Sequence, residues 1–239
     1  MSNLVTVEKY YDGLAPTYDD ALTAKGWAAN ELLGVNLQDY PGRKTAATAL
    51  DLGAGTGLTT AVLLGELAGA SVTAVDVSQG MLDVLKRRFP ANPRLYLARM
   101  AIEDYLRTSN CTFDVIASAG ALQFSPNIGG IIHWAAKLLN PGGCFFTTYN
   151  PQIEGLEGRG LQHAPEEVID GGVTIYRQPS TTLLEEVASA GLTTNRYGLY
   201  VSQPQGDLTI RGGYIMATKP IGPSACSGGQ NSGIAARTR

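Results

Sequence analysis

From about residue 46, short apolar runs ending in Asp or Gly alternate with longer stretches of helical period. ATALDL (47–52), SVTAVDV (71–77), RLYLA (94–98), FDVIASA (113–119) and GCFFTTY (143–149) have the length and side-chain content of buried strands. Between them, TGLTTAVLLGELAG carries Leu58, Val62 and Leu63 at helical spacing. SQGMLDVLKRRF begins at Ser78, an N-capping residue type, and ends in basic residues that suit a helix C-terminus. IIHWAAKLLN reads as a helix stopped by Pro141-Gly142-Gly143. Strands alternating with helices predict a parallel sheet covered on both faces, a doubly wound α/β fold. A further helix, STTLLEEVASAGL, precedes two runs, RYGLYVSQ and LTIRGGYIMATK, that are expected to pair as an antiparallel end of the sheet.

The flanks behave differently. Residues 1–45 contain two helical stretches, VEKYYDGL and TYDDALTAKGWAANELL, broken at Gly13 and Pro16, and are expected to form an N-terminal helical cap. The bend falls inside YYDGLAPTYDD, where tyrosines and aspartates crowd together in what the residues alone allow to be an exposed leader, a structural collar or a flap over a ligand. Residues 46–220 make up the expected sheet domain, with an irregular insertion at 150–178 that is longer than a connector needs to be. The tail, 221–239, is rich in Gly and Ser without apolar period and is expected to be disordered.

Composition excludes several classes of partner. The 239 residues are 44% apolar and 16% charged, enough to bury one core, and one domain is expected. Lys and Arg number 18 against 21 Asp and Glu, so no basic surface points to nucleic acid or a membrane. Cys111, Cys144 and Cys226 are widely spaced, and only two histidines are present, so neither a metal site nor a disulfide framework is expected. The best apolar run is interrupted at Gly65 and Glu66 and is too short to span a bilayer. A cytoplasmic protein with a small-molecule partner, monomeric or homodimeric, is the expectation.

The chemistry begins at DLGAGTG (51–57). A glycine loop between strand and helix presents backbone amides to a ligand. A dinucleotide fingerprint would place its third glycine at position 58, which here is Leu58; the glycines are Gly53, Gly55 and Gly57. Asp51 would repel a pyrophosphate but suits a ligand bearing an ammonium group, and S-adenosylmethionine carries one and no phosphate. Asp76, at the end of the second strand, is placed to accept both ribose hydroxyls.

Taken in order, LDLGAGTG, VDVSQGML, IEDYL, FDVIASAGALQF and LLNPGGCFF resemble the class I S-adenosylmethionine-dependent methyltransferases of small molecules. The resemblance implies a Rossmann-like seven-stranded sheet, mostly parallel with an antiparallel C-terminal strand pair, with S-adenosylmethionine as cofactor and S-adenosylhomocysteine as product. It implies that Asp51, Gly53, Ala54, Gly55 and Gly57 hold the methionine end, that Asp76 takes the ribose, and that Val77 and Met81 pack against the adenine. Many relatives have an aspartate where this chain has Ala101, so the adenine would rely on the backbone of Ala101 and Ile102, with Glu103 or Asp104 as substitutes. SAGALQF is similar to a run in trans-aconitate and malonyl-carrier-protein methyltransferases, which implies Ala119 and Gly120 at the sulfonium and Leu122 and Gln123 facing the acceptor. Many small-molecule members also begin with a Y-D-x-x-A-x-x-Y-D segment folded over the cofactor, which assigns Tyr11 and Tyr18 to the cofactor and Tyr18 also to the acceptor.

Methyl transfer is an in-line displacement in which alignment supplies much of the rate, so a catalytic residue is not obligatory. Were the acceptor a hydroxyl or a protonated amine, a base would be required. His163, in the long segment after the fifth strand, is the candidate for that role and for touching substrate. His133 sits beside Trp134 on an apolar-faced helix and reads as structural, and Glu154, Glu157, Glu166 and Glu167 read as a solvated face. The acceptor is expected to be a small molecule, with a specialised metabolite as one class. The rivals are a protein that binds S-adenosylmethionine without methyl transfer, as a regulator or a sulfonium-assisted cyclase, and a nicotinamide oxidoreductase, which Leu58 argues against.

Overall fold

Alternation within each strand decides which helix covers which face of the sheet. The computed structural model describes residues 2–152, 165–202 and 209–222. Its strands are β1 (Thr48–Leu52), β2 (Ser71–Asp76), β3 (Leu95–Arg99), β4 (Phe113–Ser118), β5 (Leu139–Tyr149), β6 (Glu166–Ile169), β7 (Val173–Tyr176), β8 (Thr193–Ser202) and β9 (Thr209–Thr218). Its helices are α1 (Asn3–Leu14), α2 (Tyr18–Ala24), α3 (Ala29–Gln38), α4 (Leu58–Glu66), α5 (Gln79–Arg88), α6 (Ile102–Thr108), α7 (Ile128–Leu138) and α8 (Ser180–Ser189).

Seven strands form one sheet in the order β3-β2-β1-β4-β5-β9-β8. The first five are parallel, and β9 is antiparallel to both β5 and β8. Leu50 and Leu52 of β1 and Ile116 of β4 pack with Ile131 and Ile132 of α7 and with Leu183 and Val187 of α8. Their neighbours Ala49, Val115 and Ala117 point to the opposite face, against Leu33 and Leu37 of α3 and Leu63 of α4. Both faces are therefore apolar, as a parallel sheet requires, and each fully buried Leu contributes about 1.5–3 kcal/mol. Parallel pairing brings the C-terminal ends of β1, β2 and β4 to one edge, with Leu52 beside Val75 and Asp51 beside Ala117. That edge is where open α/β sheets bind ligands.

The seven-stranded, doubly wound α/β arrangement with its antiparallel end matches the sequence expectation. Four local features differ. The second N-terminal stretch is two helices, separated by a turn at Lys25–Ala28 in which Gly26 and Trp27 donate to carbonyls of α2. The first stretch runs through Gly13 to Leu14, and the chain bends only at Ala15–Thr17, where Pro16 sits. Pro141-Gly142-Gly143 does not separate helix from strand. β5 already starts at Leu139, pairs there with Phe113, and passes the three residues as an irregularity held by Gly142 N–H to the Lys219 carbonyl and Lys219 N–H to the Gly143 carbonyl. Within the insertion, β6 and β7 form an antiparallel hairpin across Asp170-Gly171-Gly172, because EEVI and VTIY can pair once the two glycines supply the turn. Among the described residues, no helix is long and apolar enough to cross a membrane.

Candidate functional site

The glycine loop leaves β1 and bends over the end of β2, with the amides of Gly53 and Ala54 both donating to the Val75 carbonyl at 2.8 and 3.0 Å. Its third amide, on Gly55, donates to Asp76 Oδ2 at 2.8 Å, while Ser78 N–H donates to Asp76 Oδ1 at 2.8 Å. Asp76 thus pins the loop to the start of α5, which Ser78 caps by accepting from Met81 N–H. Burial raises the Asp76 carboxyl above the ordinary range, and the amide donors only partly offset this. Two glycines of the loop are required by space. A Cβ on Gly53 would lie 2.2 Å from Ala121 Cβ, and one on Gly57, which caps α4 in the left-handed region, would lie 2.8 Å from Leu85 Cγ.

Above this loop lies a cavity of about 440 Å³. Gly53, Gly55, Asp76 and Ala119 form its floor, and Val77, Met81, Ala101 and Ile102 line an apolar part of its wall. Tyr11 and Tyr18 also line it, and Leu122 closes it from the turn after β4. The Tyr11 ring stands edge-on to Tyr18 at 5.8 Å and to Phe124 at 5.4 Å between centroids. Burial, followed by the Asp76 charge, pushes the Tyr18 hydroxyl up to about 12, and burial raises Tyr11 well above the usual tyrosine value. Both hydroxyls therefore hold their protons at neutral pH.

Other expected residues stand elsewhere. Asp51 is fully buried beneath the loop and gives no surface to the cavity. Its Oδ2 accepts from Thr60 Oγ1 at 2.6 Å, its Oδ1 has no hydrogen-bond partner among the described residues, and desolvation raises its pKa to about 7. Gly57 packs against Leu85, away from the cavity. Gln123 turns back on its own loop and donates to the Gly120 carbonyl at 2.7 Å, so Phe124, and not Gln123, reaches the wall. Ala54 lines a second, smaller hollow of about 20 Å³ that shares Tyr18, Gly53, Gly55 and Ala119 with the first. His163, Glu154 and Glu157 lie outside the described residues. His133 has its Nδ1 3.0 Å from the Gly129 carbonyl and its Nε2 3.3 Å from Ser189 Oγ, between α7 and α8 and outside both hollows.

Several wall residues carry no sequence signal of their own. Trp27, Asn30, Thr56 and Thr59 enclose the smaller hollow, where Thr59 Oγ1 donates to Asn30 Oδ1 at 3.0 Å. Thr56 lies within the glycine loop and Thr59 in the first turn of α4, but Trp27 and Asn30 arrive only because the turn after α2 folds back on the loop. Asn3 joins three elements: its Nδ2 donates to the carbonyls of Phe124 and Thr174 at 2.8 and 3.1 Å, and its Oδ1 accepts from Thr174 N–H at 2.9 Å. Tyr176, two residues further along β7, also lines the cavity.

The N-terminal helices are fastened to this edge by carboxylates. Asp12 accepts from Ser78 Oγ at 2.6 Å and from Gly80 N–H at 2.9 Å at the start of α5. Asp19 accepts from Thr56 Oγ1 at 2.6 Å and pairs with Arg88, and Glu8 pairs with Arg99 at 2.6 Å.

Comparisons with known proteins agree with this fold. A family described as a methyltransferase domain matches residues 50–145, from within β1 into β5. The chain is 29% identical to the biotin biosynthesis bifunctional protein BioHC of Cellvibrio japonicus, over 98% of this chain and 47% of that protein. It is 32% identical to the malonyl-[acyl-carrier protein] O-methyltransferase of Halorhodospira halophila, over 61% of this chain and 48% of that one. The chain spans about half the length of these relatives. Among solved structures, 1,6-didemethyltoxoflavin-N1-methyltransferase of Burkholderia thailandensis, with S-adenosylhomocysteine bound, superposes with a TM-score of 0.67 at 21% identity. That match covers 90% of this chain and 88% of that one.

Proposed function

We propose that this chain, which belongs to the class I S-adenosylmethionine-dependent methyltransferases, moves a methyl group from S-adenosylmethionine to an oxygen, nitrogen or carbon atom of a small-molecule acceptor, with specialised metabolites as one class. The observation that supports it most is the cavity above the glycine loop, in which Asp76 stands between a polar floor and an apolar wall. The residues present fit the cofactor. A carboxylate has about four acceptor positions, so Asp76 retains capacity for a ribose hydroxyl beyond the backbone amides it already serves. Val77, Met81, Ala101 and Ile102 offer an apolar slot for the adenine, and the hollow ringed by Thr56, Thr59 and Asn30 offers polar partners to the amino-acid end.

S-adenosylmethionine supplies a methyl group on a positively charged sulfur. The task left to the protein is alignment and exclusion of water, for which about 7–11 kcal/mol is available when reacting atoms are well oriented. Tyr11, Tyr18 and Phe124 pack edge to face on one another along the cavity wall, and the two hydroxyls keep their protons at neutral pH. Thermal unfolding with S-adenosylmethionine, S-adenosylhomocysteine, NAD and NADP tests the reading, since a ligand that binds only the folded state raises the midpoint. Stabilisation by the first two alone is expected; stabilisation by a nicotinamide nucleotide, or by none of the four, would overturn it.

A further inference from the structure

We propose that the two N-terminal helices over the site each respond to a different half of the cofactor, α1 to the nucleoside and α2 to the amino-acid end, so that they close fully only over a molecule carrying both. The inference rests on the methyltransferase reading above. Asn3, Leu4, Val7 and Tyr11 of α1 line the main cavity, whereas Leu22 of α2 and Trp27 just after it line the smaller hollow; Tyr18 reaches both. The hydrogen bonds divide in the same way. Asp12 of α1 accepts from Ser78 Oγ at 2.6 Å, and the Ser78 amide donates at 2.8 Å to Asp76, the carboxylate proposed to take the ribose. Asp19 of α2 accepts from Thr56 Oγ1 at 2.6 Å, and Thr56 is a buried residue of the smaller hollow. Both helices also touch α5, but at opposite ends: Asp12 at the Gly80 amide in its first turn, Asp19 at Arg88, its last residue.

A hydroxyl has one proton to give, and that count fixes what each contact passes on. Thr56 commits its proton to Asp19, so toward the hollow its oxygen can only accept. Thr59 is in the same position, because its proton goes to Asn30 Oδ1, and Asn30 keeps its amide N–H groups as donors. Acceptors beside a donor suit an ammonium and a carboxylate carried on one carbon. An ammonium on Thr56 polarises the hydroxyl and strengthens its bond to Asp19, since linked hydrogen bonds reinforce one another. A ribose on Asp76 acts on α1 instead. It restrains the carboxylate that holds the Ser78 amide, and the Ser78 hydroxyl is a donor on which Asp12 rests. Linkage makes each path reciprocal, so a docked helix strengthens binding of the half of the cofactor that it faces.

Backbone hydrogen exchange of the full chain, followed over residues 3–10 of α1 and 18–24 of α2, separates the two responses. Calorimetric titration of S-adenosylhomocysteine comes first, and its failure to bind would count against the methyltransferase reading itself. Methylthioadenosine, which keeps the adenine, the ribose and a neutral sulfur but lacks the amino-acid end, is then compared with S-adenosylhomocysteine. Both are expected to slow residues 3–10 by about fivefold or more, the lower end of a coupling between two sites. Only S-adenosylhomocysteine is expected to slow residues 18–24. In the protein loaded with S-adenosylhomocysteine, Asp12→Asn should release residues 3–10 alone and Asp19→Asn residues 18–24 alone. Thr56→Val, which keeps the shape but removes the hydroxyl, should narrow the affinity gap between the two ligands. Equal protection of both segments by methylthioadenosine, no protection of residues 3–10 by it, release of both segments by either carboxylate variant, or an unchanged affinity gap in Thr56→Val would overturn the proposal.

Discussion

The loop and strands that make the floor of the cavity are built on different forces from the helices that cover it. The floor is fixed by backbone: Gly53, Ala54 and Gly55 donate to fixed acceptors on β2, and β1 lies between two parallel neighbours with its side chains buried on both faces. Among the described residues before Ala29, the cover, α1 and α2 with the bend between them, adds only Val7 and Ala15 to the buried apolar residues, and it is held down by Glu8, Asp12 and Asp19 through partly exposed side chains. Backbone pairing and apolar burial are difficult to undo piecemeal, whereas exposed ion pairs contribute roughly 0–1 kcal/mol each. A rigid floor under a weakly tied cover is what a site needs if ligands enter beneath the cover and react only once it has closed.

The largest expected effect comes from removing the cover. None of the three apolar clusters of the core includes a residue before Leu32, so deleting residues 1–20 is expected to leave a cooperatively folding sheet and to abolish turnover. Far-ultraviolet circular dichroism and a thermal scan would report the fold, and release of S-adenosylhomocysteine the activity. Full activity in the truncated protein would make the cover a mere leader.

Next comes the floor. Asp76→Ala removes the proposed ribose acceptor and unpins the Gly55 and Ser78 amides together. Affinity for S-adenosylhomocysteine should fall by about 1.5–3 kcal/mol, the scale of hydrogen bonds to a charged group. Calorimetry on the folded variant checks this, and unchanged affinity would remove Asp76 from the site.

The same contrast explains what reading the chain alone could reach. Strand periodicity, the glycines and Asp76 are local signals, and the structure puts the floor where those signals place it. The cover depends on how the chain folds back. Trp27 and Asn30 reach the loop only through the turn at Lys25–Ala28, and Asn3 meets Thr174 across 171 positions of sequence. Residue type also misleads where backbone geometry decides direction. Gln123 looks like an acceptor contact but satisfies the Gly120 carbonyl, and Asp51 looks like a ligand for an ammonium group but lies under the loop with Thr60 as its hydrogen-bond donor.

Asp51 gives a smaller, pH-dependent test of the floor. Its folded pKa of about 7 lies above the ordinary value of 3.8, so between those limits the folded protein keeps a proton that the unfolded chain gives up. The contribution of this residue to stability is therefore greatest below pH 4, declines as pH rises to 7, and is flat above it. Asp51→Asn should abolish that part of the slope in urea unfolding measured from pH 4 to pH 8. Parallel profiles for the two proteins would show that Asp51 is ionised in the folded state at neutral pH.

The smallest expected effect tests the ties of the cover one at a time. Asp19 accepts from Thr56 on the loop and pairs with Arg88 on α5, and both charged side chains are partly open to solvent, at 38% and 28%. Asp19→Asn leaves the shape but removes the charge, so global stability should change by no more than about 1 kcal/mol. Local opening is a more sensitive measure, because a segment closed by a few weak contacts opens far more often than the whole chain unfolds. Backbone hydrogen exchange from Tyr11 to Asp20 should quicken several-fold in the variant and slow again when S-adenosylhomocysteine is added, since the proposed site lies beneath Tyr11 and Tyr18. Added salt should speed the same amides in the unaltered protein and change the variant less, because screening acts on the pair that the substitution has already removed. Were the exchange of these residues indifferent to the substitution, to salt and to ligand alike, the cover would be held by its aromatic packing on Phe124 and not by its carboxylates, and the division between a rigid floor and a tied cover would fail.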